Sequence, residues 1–306
     1  MPKISRKENL YKKIIIVDGQ SGCGKSMLSS IISSFKRVEL VTYIFEIEFI
    51  TRLSKFKKIT DDVAVSMIKM FADQKIYNTM MGRDTNFRFD DVSSIFSYHN
   101  PSKYIDRIFE KGDETIPAKI NKNNPILNFA THDLISNAEI LFKSLKNNLV
   151  FIEMVRHPLY MLIQQTLNME RLTNDPRDIQ IYFSHRGKEL PYFTLGWEDT
   201  FIKSNSVDKA IYYMHYSSIQ NTKTRNKISK NKKNKFISLS FEQFVLKPEK
   251  YIDTILKLIN TDFSKNTKKI LREQRVPRKK ISDGMPLAIY KRCGWTPPNL
   301  SFNEIE

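Results

Sequence analysis

The sequence predicts an α/β fold in which a parallel sheet is covered by helices on both faces. Three observations support this. The apolar run Ile14-Ile15-Ile16-Val17 leads into Gly19-Gln20-Ser21-Gly22-Cys23-Gly24-Lys25-Ser26, and a helix-like stretch follows from Met27. Four further apolar runs are continuous rather than alternating, which is the pattern of strands buried on both faces. Helix-like stretches separate most of these runs, and strands that alternate with helices build a parallel sheet with ligand at the strand carboxyl ends.

The first strand is expected at 13–17 and the first helix at 26–35. A second strand at 41–45 precedes a helix that starts at Thr60, where Asp61 and Asp62 give an N-terminal signal, and runs toward Met80. The strand at 126–130 is followed by a helix at 133–146, whose Leu134, Ala138, Leu141 and Leu145 are spaced for one face. A strand at 149–155 enters a helix at 158–169 that opens on Pro158, a favoured first-turn residue. The last pair is a strand at 236–239 and a helix at 250–259. Two stretches break the rhythm. Residues 82–124 mix polar, aromatic and basic types without a period and read as an insertion, and 181–200 hold two β-prone arms around Arg186-Gly187-Lys188-Glu189, a hairpin pattern. The chain reads as one domain, 1–306, with both insertions covering the site.

Composition narrows the function. Two cysteines, Cys23 and Cys293, cannot form a disulfide framework, so a reducing compartment is expected. The basic start of the chain lacks a signal-peptide core and no stretch approaches a membrane span, so the expectation is a cytoplasmic protein. The net charge is +17, and the segments 223–235 and 268–280 carry seven basic residues each. The first reads as a solvated loop. In the second, Arg272, Arg275 and Arg278 would share a helical face, within the limit set by Pro277. Neither adds an aromatic platform or a recognition module, so nucleic acid is not the expected partner; a phosphorylated or sulfated small molecule suits the charge.

The segment from Gly19 to Ser26 is a complete G-x-x-x-x-G-K-[ST] phosphate-binding loop. Its glycines let backbone N–H groups of Ser21, Gly22, Cys23 and Gly24 turn around phosphate oxygens at a helix N-terminus. Lys25 would place a charge on the terminal phosphate or sulfate, and Ser26 would ligate Mg²⁺. The predicted fold is thus of the P-loop nucleoside triphosphatase type.

Three further segments follow in a telling order: Ile126 to His132, a strand ending in Thr131-His132; Leu149 to Pro158, a strand ending in Arg156-His157-Pro158; and Leu239-Ser240-Phe241-Glu242 through Pro248. Together they resemble the sulfotransferase family over about 14–259. The resemblance implies His132 as the base that takes a proton from the acceptor hydroxyl, and Arg156 as a ligand of the donor's 3′-phosphate. Both residue types suit those tasks. His157, before a proline, reads as a turn residue. The chain departs from the family at Gln164, where a second phosphate ligand, a serine, is expected, and in the loop itself, which looks like that of small-molecule and nucleotide kinases. In that setting Glu153 would help hold Mg²⁺.

Two enzyme readings result. The first is a Mg·ATP-dependent phosphotransferase on a sulfotransferase-like scaffold; the alternative is a sulfotransferase using 3′-phosphoadenosine 5′-phosphosulfate without metal. A nucleotide-hydrolysing switch or nucleic-acid-associated ATPase is a third. The acceptor is expected to be a hydroxylated small molecule or carbohydrate. Arg83, Asn86 and Arg88, with His185 and Arg186, suggest anionic character.

Overall fold

The structure, a computed structural model, describes residues 2–172, 175–176, 178–283 and 298–305; Cys293 lies outside them. Five strands form one parallel sheet: β1 (Lys13–Asp18), β2 (Val38–Tyr43), β3 (Ile126–Ala130), β4 (Leu149–Val155) and, last in the chain, β7 (Lys235–Ser240). Their spatial order is β2-β3-β1-β4-β7. β1 is central, so the loop that leaves it lies between its two neighbours at the carboxyl edge.

Both faces are covered, which explains the continuous apolar runs. Ile15 and Val17 pack with the helices α1 (Lys25–Ser33), α10 (Phe241–Leu246), α11 (Glu249–Ile259) and α12 (Thr267–Glu273). Ile14 and Ile16 pack on the opposite face, with α2 (Phe45–Lys55), α3 (Asp61–Met81), α5 (Ile116–Asn123) and α6 (Glu139–Leu145). Successive strand residues therefore both need apolar side chains, and alternation disappears. The hairpin stands where expected: β5 (Tyr182–His185) and β6 (Lys188–Pro191) pair antiparallel, with Arg186 and Gly187 in the turn.

Several expectations are corrected. The second strand is Val38–Tyr43 rather than 41–45, and Phe45 instead opens α2. Residues 223–230 are not loop: they close the 25-residue α9 (Ser206–Lys230), whose Ala210, Met214, Asn221, Thr224 and Ile228 are buried. Asn221 and Thr224 interrupt the inward-facing row between Met214 and Ile228, so no continuous apolar stripe announces a helix. The expected helix at 133–146 begins only at Glu139, after a 3₁₀ turn at Ile135–Asn137, because Asp133 adopts a φ of 48°. Arg272, Arg275 and Arg278 do not share a helix face, since α12 ends at Glu273 and Arg275 has a φ of 53°. The insertion 82–124 carries α4 (Ser102–Phe109) and α5, and it meets the outer edge of the sheet through Glu39 of β2. That carboxylate, buried, accepts from Tyr104 Oη at 2.7 Å and takes both Arg107 Nη atoms at 2.9 and 3.0 Å. Among the described residues no helix is long and apolar enough to cross a membrane.

Candidate active site

The phosphate-loop geometry depends on two glycines in particular. A Cβ at Gly19 would stand 2.6 Å from the Met154 carbonyl oxygen on β4, and a Cβ at Gly24 would stand 2.4 Å from the Phe241 ring. Gly24 also has a φ of 97°, in the left-handed region where a side chain is strained. Three side chains fix the loop by its carbonyls: Gln165 Nε2 donates to Ser21 O at 2.8 Å, Arg156 Nη1 to Gly22 O at 2.7 Å, and Lys25 Nζ to Gln20 O at 3.4 Å. Pulling carbonyls outward turns the intervening N–H groups toward the loop's interior. Gln164, the departure noted in the sequence, lies beside Gly22 and donates to Asn168, both on α7 (Leu162–Arg171). Cys23 is a packing residue: it is buried, and burial pushes its thiol pKa up.

His132 follows β3 and is set by a group that sequence reasoning missed. Its Nδ1 lies 2.9 Å from Glu48 Oε1, and its backbone N–H donates to the same oxygen at 3.2 Å. Glu48 is held in turn by Arg52 Nη2 at 2.8 Å, which also reaches His132 O at 3.1 Å. The imidazole stacks between Tyr43 and Phe45, with both centroids at 5.6 Å. A carboxylate on Nδ1 makes that nitrogen the N–H, so Nε2 carries the lone pair. Among the described residues Nε2 has no hydrogen-bond partner. Tyr192, at the end of the hairpin, stacks on Arg52 at 4.4 Å. The signal that could have found Glu48 is the i, i+4 pair Glu48/Arg52, but α2 itself was not legible.

These groups line one cavity of about 410 Å³, whose walls include Ser21 of the loop, Phe45, His132, Asp133, Gln165 and Tyr192. His132 and Ser21 of the segment 19–26 therefore line one cavity. Asp133 reaches it from the turn after His132; its N–H donates to Gly19 O at 3.2 Å, and its carboxylate accepts from Tyr213 Oη and Asn221 Nδ2 at 2.8 and 3.0 Å. Asp18, at the end of β1, accepts from Thr131 Oγ1 at 2.8 Å and from the backbone N–H groups of Leu134 and Ile135 at 2.9 Å, tying the β3 turn to the start of the loop. Burial, then the nearby Asp133 charge, push its pKa up to about 7.

Glu153 is not brought to the loop, and its expected role as a metal ligand is corrected. It shares a sheet face with its register partner Asp18, opposite α1 and Ser26. There Arg225 Nε and Nη2 hold its carboxylate at 2.9 Å each, and Ser238 Oγ donates at 3.0 Å. No cluster of three or more His, Cys, Asp or Glu side chains that could hold a metal ion occurs among the described residues.

Arg156 does lie at the loop, packed over the Phe241 ring at 4.1 Å. A second arginine joins it from the basic segment: Arg278 stands 5.5 Å from the same ring and reaches Met27 Sδ of α1 at 3.7 Å. Burial first, then the Arg156 charge, lower its pKa to about 10. Glu242 proves to be a brace, accepting from the His157 N–H at 3.0 Å and from Ser240 Oγ at 3.0 Å. His157 is a turn residue, its Nδ1 accepting from the Leu159 N–H at 3.2 Å. The basic residues expected to meet an acceptor point elsewhere: Arg83 faces Asp113, Arg88 faces Asp91, and Arg186 faces Asp199.

No protein-family model and no curated protein sequence matches this chain. Solved structures similar to it include the sulfotransferase domain of the curacin biosynthetic pathway, at 12% identity and a TM-score of 0.45, covering 85% of this chain and 77% of that one. The sulfotransferase domain of the Synechococcus PCC 7002 olefin synthase gives 11% and 0.46, over 97% of this chain and 100% of that one. Sulfotransferase STF9 from Mycobacterium avium gives 11% and 0.42, over 87% and 68%.

Proposed function

We propose that this protein is a group transferase that moves a sulfuryl group from 3′-phosphoadenosine 5′-phosphosulfate to the hydroxyl of an acceptor bound in the cavity. The observation that carries the reading is the placement of His132, with Nδ1 on Glu48, in the cavity that Ser21 of the phosphate loop also lines. Acceptor and donor then meet between a base and an anion cradle.

His132 Nε2 takes the proton of the acceptor hydroxyl while its oxygen bonds to sulfur; the bond from sulfur to the donor phosphate oxygen breaks, and the electron pair leaves on that oxygen. Lys25 and the loop N–H groups stabilise the charge that develops there. Glu48 supports the imidazolium that forms. Arg156 and Arg278, two guanidiniums on one aromatic ring, repel each other, and the doubly charged 3′-phosphate between them would relieve that repulsion. ATP has no group for this second anion site.

A second reading, Mg·ATP-dependent phosphoryl transfer at the same cavity, is favoured by Ser26, whose hydroxyl makes no hydrogen bond among the described residues and stands at the metal-ligand position of the loop. The commitment of Glu153 to Arg225 leaves Ser26 without the acidic partner that reading assigned to it. Calorimetric titration separates the two. Adenosine 3′,5′-bisphosphate should bind without metal, and Arg156→Ala should weaken it by about 1.5–3 kcal/mol. Binding of Mg·ATP with no detectable bisphosphate binding would reverse the order.

A further inference from the structure

We infer that the amino edge of the sheet, opposite the candidate active site, is a binding surface for the phosphodiester backbone of nucleic acid. The topology gathers cations there. Lys12 and Lys13 open β1, Lys36 and Arg37 precede β2, Lys122 leads toward β3, and Lys146 toward β4. Lys230, Lys232, Lys233 and Lys235 lead into β7. The acidic residues nearby are Glu8; Asp262, 3.7 Å from Lys36; Asp73, which pairs with Arg6 and accepts from the N–H groups of Leu10 and Tyr11 beside Lys12; and Asp61, which pairs with Lys143.

Packing brings the clusters together rather than leaving them scattered. Lys12, Lys13 and Arg37 line a concavity of about 330 Å³ with Asn121, Asn124 and Asn260. Burial, then the charges of Lys235 and Arg37, lower the Lys13 pKa, so cations from three strands feel one another. The alternative role for such residues is to cap helix C-termini, and two of them do: Lys13 Nζ donates to Ile259 O at the end of α11, and Arg37 Nη1 donates to Asn124 O after α5. Five helices end at this edge, each worth about half a negative charge. That offsets only a minority of the ten cations.

The residue types between the cations select the partner. They are asparagines, including Asn121, Asn123, Asn147, Asn148, Asn231 and Asn234, which hydrogen-bond to phosphate and sugar. A bilayer-binding face carries large apolar side chains to insert; the exposed aromatic at this edge, Phe263, leans on Phe35 at 5.8 Å. Five strands at about 4.8 Å spacing make an edge about 20 Å wide. A duplex presents roughly a dozen phosphates over that length, at one charge per 1.7 Å. With no aromatic platform, contact is to the backbone and independent of sequence.

The test is fluorescence anisotropy of a fluorescein-labelled 20-base-pair duplex with the full chain. Wild type should bind at 50 mM salt and lose affinity about 10³-fold by 200 mM, the dependence of six or more phosphate contacts. The exposed set Lys12→Gln, Lys146→Gln, Lys232→Gln and Lys233→Gln should flatten the slope of log affinity against log salt by about 3–4. The exposed set Lys188→Gln, Lys203→Gln, Lys247→Gln and Lys250→Gln, with the same net charge but toward the carboxyl side of the sheet, should leave the slope within about one unit. Equal losses in the two sets, no duplex binding by wild type at 50 mM salt, or binding to vesicles of three parts phosphatidylserine to seven of phosphatidylcholine without duplex binding would each overturn the inference.

Discussion

Replacing Glu48 by glutamine separates what the carboxylate does for stability from what it does for His132. Glu48 and Arg52 form an ion pair at 2.8 Å with side chains 1% and 3% exposed. Glutamine keeps the size but removes the charge, leaving the Arg52 guanidinium buried without its carboxylate, at a cost of about 3–5 kcal/mol. The amide can also present an N–H to Nδ1, which would favour the wrong tautomer and lower turnover by about 10³–10⁴-fold, as in other histidines that lose their carboxylate. The second variant, Glu48→Gln with Arg52→Met, replaces the pair by neutral groups of similar length. It should recover much of the lost stability, because no guanidinium is left buried without its carboxylate. Turnover should stay low. Urea unfolding followed by circular dichroism measures the first effect, and the ring-nitrogen NMR shifts of His132 report the tautomer without any acceptor. A loss below about 1 kcal/mol in Glu48→Gln would refute the buried pair. A wild-type His132 found with its proton on Nε2 would refute the assignment of the base.

Two other outcomes follow from the packing. The Glu39 pKa is lowered to about 2: burial raises it, but the Lys103 and Arg107 charges and the hydrogen bonds outweigh that. A carboxylate depressed on folding stabilises above its unfolded pKa of about 4.5, so roughly 3 kcal/mol should be lost as pH falls from about 4.5 through 2; acid unfolding of Glu39→Gln should lack that dependence. Gly24→Ala should cost about 2–4 kcal/mol, combining an overlap 2.4 Å from Phe241 with left-handed strain, and should weaken the bisphosphate. An alanine variant with wild-type melting and binding would mean that the loop and α10 do not touch as described.

The sequence alone determined the elements whose cause is local or one-dimensional. The strands at 126–130 and 149–155 coincide with β3 and β4, because a strand buried on both faces is apolar at nearly every position; the exceptions, Asn128 and Glu153, are each hydrogen-bonded. The hairpin was legible from Arg186-Gly187, a pair whose φ values of 51° and 74° a tight turn requires. The spacing of Gly19, Gly22 and Gly24 is visible in eight consecutive residues, although Gly19 and Gly24 are required by the close approach of Met154 and Phe241.

What only the tertiary structure decided depends on residues far apart in the chain. Glu48 and His132 are separated by 84 positions, and no period in α2 marks the carboxylate that meets the imidazole. Glu153 read as a metal ligand from its strand, yet Arg225, 72 positions on and on a helix whose apolar stripe is interrupted by Asn221 and Thr224, claims it. Arg278 joins Arg156 on Phe241 only because α12 ends early and the chain turns back over α1. Charge partnership carries no sequence period: a carboxylate's role is fixed by which cation the fold brings within about 3 Å, and that is settled only when the layers close.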